Sequence, residues 1–234
     1  MKKTATPDPI YRDSLSDQAY VLLRGRIERR ELTPGTRLSE DELALELRIS
    51  KTPLRMAIHR LQQDGIVQIL PRRGIYVSTL TPEEILQVIE VREALEGLCA
   101  RLAAQRATPK LIDRLRACFQ GFPPDELESR KRAYASADHR FHTLLVEASG
   151  NQQAIRMMEL LNLRIQMYRL RTVALMRRDA LLVHEEHEEI LAALEAGDGA
   201  RAERVIRAHI RQVRENVAEE LLNDTGPDRS VSTG

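Results

Sequence analysis

The chain of 234 residues has no tryptophan, only three phenylalanines and two cysteines, and no long hydrophobic run. A membrane-spanning helix needs about 20 consecutive apolar residues, and no such stretch occurs. The opening MKKTATPDPIYRD lacks the apolar core of a secretory leader, so a cytoplasmic protein is expected. Cys99 and Cys118 stand apart without CxxC spacing, which argues against a disulfide framework and for buried thiols in a reducing compartment. A strong charge of either sign is also missing, since 36 Lys/Arg face 35 Asp/Glu. What is plentiful is Ala, Leu, Glu and Arg in a chain that is 42% hydrophobic, a mixture suited to helices packed through aliphatic side chains.

The charge is unevenly placed. Residues 1–79 carry fourteen Lys/Arg against ten Asp/Glu, whereas residues 80–234 carry twenty-two against twenty-five. The basic excess falls where the pattern suggests DNA binding. From Leu38 to Val67 the sequence reads as two short helices joined by a tight turn. Ser39 and Glu42 form the S-x-x-E signature of a capping box, and Leu43, Leu45 and Leu47 are expected to supply the first helix's apolar side. The second helix carries Leu54, Ile58 and Leu61 at helical spacing, which leaves Ser50, Lys51, Thr52 and Arg55 at its exposed N-terminal end. In a helix-turn-helix that end reads base edges. Two β-branched runs around Pro71-Arg72-Arg73-Gly74 then predict a hairpin with a basic tip, a wing that can reach phosphates or the minor groove. An earlier amphipathic helix over Asp17–Glu31 completes a domain of three helices and a wing across residues 11–79.

Thr81-Pro82 opens a second domain expected over residues 80–223, with helices at about 82–107, 109–120, 125–148, 151–177, 179–196 and 199–222. The fold class is therefore mainly α: a winged helix-turn-helix domain followed by an all-helical bundle of six or seven helices, the 151–177 stretch being one helix or two. Residues 1–10 and 224–234 read as polar, disordered tails.

Within the bundle Asp138 and His142, at i and i+4, leave one helix face together. His187 runs in phase with Val183, Ile190 and Leu194, and His209 with Ala202, Ile206, Val213 and Val217, so both imidazoles face inward. An inward ring needs partners for its nitrogens. A divalent metal shared by Asp138, His142, His187 and His209 would provide them, zinc first, with nickel, cobalt or manganese also suited to the donor set. Core histidines bonded to carboxylates such as Glu185 or Glu186 would do so equally well. His184 is a rival ligand that falls off the inward stripe, while His139 and His59 point outward. Arg92 occupies an apolar stripe formed by Ile85, Val88, Leu95, Cys99 and Leu102, and its guanidinium needs an anion, either a small carboxylate ligand or an internal Glu.

The run PGTRLSEDELALELRISKTPLRMAIHRLQQDGIVQILPRRGIYV resembles the winged helix of GntR-type bacterial transcription regulators. Residues in VREALEGLCARLAA, the Asp138-x-x-x-His142 pair, EEHEEILAALEAGD and RAHI resemble the ligand-sensing FCD domain of the FadR-like branch, the likeness covering roughly residues 11–222. The resemblance implies DNA contacts at Ser50, Lys51, Thr52, Arg55, Arg72, Arg73 and Gly74, metal ligands at Asp138, His142, His187 and His209, and an effector-facing position at Arg92. It also implies a homodimer on a palindromic double-stranded operator, its binding modulated by a small organic acid or related metabolite, with no membrane partner. Repression is the expected mode, and a DNA-tethered metalloenzyme or a metal-free helical scaffold are the alternatives. Against the family pattern, Arg48 replaces the turn glycine, Asp41 a basic residue, Lys51 an arginine and Met56 a glutamate. A positive φ at Arg48 would strain the turn modestly.

Overall fold

The computed structural model describes residues 14–175 and 180–224, and the chain divides into two compact units at Thr79/Leu80. In the first unit, α1 (Leu15–Glu28) starts two residues before the expected Asp17, because Ser14 and Asp17 form a reciprocal capping box. Its inward face buries Ala19, Leu23 and Ile27. Next come β1 (Arg37–Leu38), α2 (Glu40–Leu47) and α3 (Lys51–Gln63). The strands β2 (Val67–Leu70) and β3 (Gly74–Val77) form the expected hairpin. Leu54, Ala57, Ile58 and Leu61 on α3 are fully buried, each aliphatic Leu or Ile stabilising by roughly 1.5–3 kcal/mol on burial.

Two details differ from the sequence reading. The sheet has three antiparallel strands in the order β1-β3-β2, with Arg37 opposite Tyr76 and Leu38 opposite Ile75, so the wing carries an added strand. Leu45 is 82% exposed while Leu43 is buried. Positions 43, 45 and 47 advance by two residues, about 200° around a helix, and cannot share one face. Ser39 does cap α2 by accepting from the Glu42 amide. At the other end Arg48 is left-handed, φ 54° and ψ 42°, so an arginine carries the conformation that glycine adopts freely.

Among its described residues the second unit consists of helices joined by turns, with no strand. Its helices are α4 (Pro82–Gln105), α5 (Pro109–Ala117), α6 (Lys131–Ala148), α7 (Gln152–Leu175), α8 (Ala180–Glu195) and α9 (Gly199–Asp224). Thr81 and Glu84 make a capping box with Pro82 at the first turn of α4, the start read from the sequence. The expected 125–148 helix begins instead at Lys131. A single 3₁₀ turn, Pro124–Glu126, precedes it, and Leu127 turns inward to 1% exposure before the chain becomes helical again. The 151–177 stretch is one helix through Leu175, and the expected tails lie outside the described residues apart from Asp224 at the end of α9.

The core gathers Leu115 of α5, Tyr134, Phe141 and Leu145 of α6, Ile190 and Leu194 of α8, and Ala202 and Ile206 of α9 around Phe119. The most extensive helix pairing is α4 with α9. Gly199 belongs to this contact region, since a Cβ there would meet the Arg101 carbonyl oxygen at 2.9 Å.

Candidate metal centre and nucleic-acid interface

The apolar stripes that seat α6, α8 and α9 in the core also turn four polar side chains toward one another. Phe141 and Leu145 flank His142, Ile190 follows His187, and Ile206 and Ile210 bracket His209. Asp138, His142, His187 and His209 each present a ligand atom, and the four atoms lie within 4.8 Å of one another. The histidines are 0–3% exposed, and the Asp138 side chain is 13% exposed.

Every ring has its Nδ1 engaged by the protein. His142 Nδ1 lies 2.5 Å from Glu96 Oε2, His187 Nδ1 3.1 Å from the Tyr134 hydroxyl, and His209 Nδ1 2.6 Å from Glu186 Oε2. The Nε2 atoms of His142 and His187 lie 3.5 and 3.2 Å from Asp138 Oδ1, yet neither makes a well-directed hydrogen bond and both are sealed from water. Buried polar atoms are ordinarily satisfied, so the two orphaned nitrogens beside a carboxylate fit a cation. Ligands about 2.0–2.2 Å from a tetrahedral zinc ion stand roughly 3.3–3.6 Å apart, so the most separated ligand atoms, within 4.8 Å of one another, would have to draw together by up to about 1.5 Å.

Electrostatics divides the cluster. Burial pushes His187 down to about 4 although the nearby Asp138 carboxylate favours its charged form, and burial also lowers His209 despite Glu186. These two rings are held neutral, the state a metal ligand requires. Burial would lower His142 too, but Glu96 and Asp138 outweigh it and raise its pKa. Burial alone would raise Glu96 and Asp138. The charges of Arg92 and His142 bring Glu96 to about 2, and His142 with His187 holds Asp138 well below the usual carboxylate range.

The fold gives His184 and Arg92 distinct surroundings. His184 stays outside the cluster, half-buried, with its Nδ1 3.3 Å from the Tyr134 hydroxyl. The anion beside Arg92 is internal: its Nε donates to Glu96 Oε1 at 2.5 Å, with 8% and 0% of the two side chains exposed. Arg92 therefore does not present that edge to an effector as a free clamp, because a glutamate one turn along α4 already neutralises it. Glu96 escaped the sequence reading. The available signal was its position at i+4 from the one cation on the inward stripe of α4. Glu186, by contrast, was among the carboxylates expected beside a core histidine. Between α8 and α9 a groove of about 430 Å³ reaches Glu186 and His209 from solvent.

On the first unit, Ser50 is the N-cap residue of α3, but its hydroxyl makes no cap hydrogen bond. Lys51, Thr52 and Arg55 are exposed on the following turn, as are Arg72 and Arg73 at the wing tip. Arg72 has φ 63° and Gly74 φ 114°, so the tip turns through two left-handed residues. The cations of α3 are already paired. Lys51 Nζ lies 2.5 Å from Asp41 Oδ1, and Arg55 donates through Nε and Nη2 to both oxygens of Glu40 at 2.9 and 3.0 Å. The Arg55 hydrogen bonds hold the Glu40 carboxyl below its ordinary range. A groove of about 920 Å³ between α3 and the wing is lined by Glu40, Asp41, Arg55, His59 and Arg72.

A basic-tipped winged helix-turn-helix joined to a helical unit with a buried Asp/His cluster is the arrangement of a DNA-binding transcription regulator. Residues 15–77 match the family described as bacterial regulatory proteins, gntR family, and residues 87–212 match the FCD domain. The chain belongs to the GntR family and carries an FCD domain. It is 28% identical over 206 residues to the HTH-type transcriptional repressor RspR of Escherichia coli strain K12, covering 87% of this chain and 89% of that protein. It is 31% identical over 202 residues to an HTH-type transcriptional regulator in an unstable DNA locus of Streptomyces ambofaciens, covering 85% and 83%. The solved structure of E. coli McbR/YncC has the same fold, with a TM-score of 0.66 at 21% identity, covering 92% of this chain and all of that one. No helix among the described residues is long and apolar enough to cross a membrane.

Proposed function

We propose that the chain is a repressor whose operator affinity responds to a small organic acid bound at a divalent metal held by Asp138, His142, His187 and His209. The observation that carries this is the pair of orphaned Nε2 atoms, His142 and His187, facing one carboxylate while all three Nδ1 atoms are held from behind. Zinc suits three imidazoles and a carboxylate, and nickel, cobalt and manganese suit them as well. A metal bound there would supply a Lewis-acidic centre for the carboxylate of an effector.

The protein's own groups do the rest. Glu96, Tyr134 and Glu186 fix the ring orientations, and Arg92 contributes positive potential from behind Glu96 rather than a free bidentate clamp. The acidic groove at Glu186 and His209 is the proposed way in from solvent. On DNA, Ser50, Lys51, Thr52 and Arg55 address base edges, while Arg72 and Arg73, turned by Gly74, address the backbone. A homodimer would present two such surfaces to the half-sites of a palindrome. Effector binding then shifts the population of arrangements competent for the operator. Similarity to a named repressor supports the direction of control.

The test is a thermal-shift screen of small carboxylates with and without zinc, followed by operator-binding titrations. A carboxylate that stabilises the protein only with zinc present, and changes operator affinity, is expected. Stoichiometric metal-free protein that gains nothing from zinc would overturn the reading.

A further inference from the structure

We infer that Glu96 is a positioning residue for metal binding, fixing His142 and thereby tying α4, which contributes no ligand of its own, to the metal centre. The inference rests on the metal reading above. The four candidate ligands come from α6, α8 and α9. Glu96 comes from α4 and meets His142 Nδ1 at 2.5 Å while its own side chain is 0% exposed. The other two rings are held differently: Tyr134 offers His187 a neutral hydroxyl, and Glu186, which holds His209, keeps 30% of its side chain exposed. Glu96 is thus the wholly buried carboxylate behind the cluster.

A carboxylate on Nδ1 selects the tautomer with its lone pair on Nε2, orients the ring and makes that lone pair more basic. The same carboxylate would be costly to bury alone. Arg92, one turn earlier, satisfies Oε1 at 2.5 Å, which leaves Oε2 for the imidazole. The two oxygens therefore have separate duties, one balancing charge within α4 and the other reaching across to α6. This division gives α4 a direct mechanical stake in the position of His142. The chain also reaches α4 directly from the wing: β3 ends at Val77 and α4 begins at Pro82. Through Glu96, a change at His142 would therefore reach the helix that follows the DNA-binding unit in the chain.

The experiment compares full-length wild type with Glu96→Gln, using Co²⁺ alone as probe and measuring affinity by competition with a chromophoric chelator. Gln keeps the shape but removes the charge and leaves one acceptor oxygen where Arg92 and His142 each use one. Ten- to hundredfold weaker Co²⁺ binding is expected, together with an altered visible absorption of the bound cobalt. A role confined to packing would lower the melting temperature without moving that spectrum. If the unpaired Arg92 prevents Glu96→Gln from folding, the double variant Arg92→Gln/Glu96→Gln removes both charges and is expected to show the same loss. Wild-type Co²⁺ binding with a folded variant inside twofold of it, and an unchanged spectrum, would overturn this inference alone. Absence of Co²⁺ binding by wild type would overturn the metal reading and this inference with it.

Discussion

The candidate functional charges of the two units sit in opposite settings. In the winged unit Lys51 pairs with Asp41, Arg55 with Glu40 and Arg60 with Asp17, all at the surface. In the helical unit Arg92, Glu96, His142, Asp138 and His187 form a continuous chain of contacts at 13% side-chain exposure or less. Exposed pairs contribute about 0–1 kcal/mol and are screened by salt, so they can exchange partners when phosphates or bases arrive. A buried network cannot trade its partners for water, because an uncompensated charge left inside costs about 3–5 kcal/mol. One candidate site is made for exchange and the other for a fixed geometry.

Replacing both His187 and His209 by Ala attacks the fixed geometry most directly. Loss of at least a hundredfold in zinc affinity is expected by chelator competition, with DNA binding of the metal-free protein retained. Near-stoichiometric zinc in the purified double variant would end the ligand assignment. Arg55→Ala attacks the exchangeable side: specific operator affinity should fall by about 1–3 kcal/mol, roughly five- to 150-fold, measured by fluorescence anisotropy against an unrelated duplex. Equal affinity for both proteins would remove Arg55 from the interface. Asp41→Ala should have a smaller effect, releasing Lys51 and tightening DNA binding a few-fold at low salt while stability changes by less than about 0.5 kcal/mol. A large loss of stability there would mean that the surface pair behaves like the buried network. Arg48→Gly relieves a left-handed arginine, and a gain or loss within about 1 kcal/mol is expected, since glycine also loosens the unfolded chain. Melting curves would read it.

How far the sequence could be read follows the same division. Periodicity exposes what is repeated, so the helix-turn-helix, the hairpin, the Thr81-Pro82 start and the inward phases of His187 and His209 were all legible. The two-residue strand β1 was not, because its existence depends on pairing with Tyr76 and Ile75 some forty positions away. Nor was the late start of α6, where a buried Leu127 overrides local helix preference. At the candidate site the residue types that bind metals announced themselves. Glu96 did not, since a glutamate in an Ala- and Leu-rich helix reads as solvated until the partner helices are in place.

The two cysteines give this molecule an internal clock. Cys99 and Cys118 are both buried, both free, and both belong to the helical unit, while the winged unit has none. Burial raises each thiol's pKa, so neither is reactive until the helices around it part. In a chain without tryptophan, the rate of thiol labelling therefore times the opening of the sensing half, with no signal from the half that holds DNA.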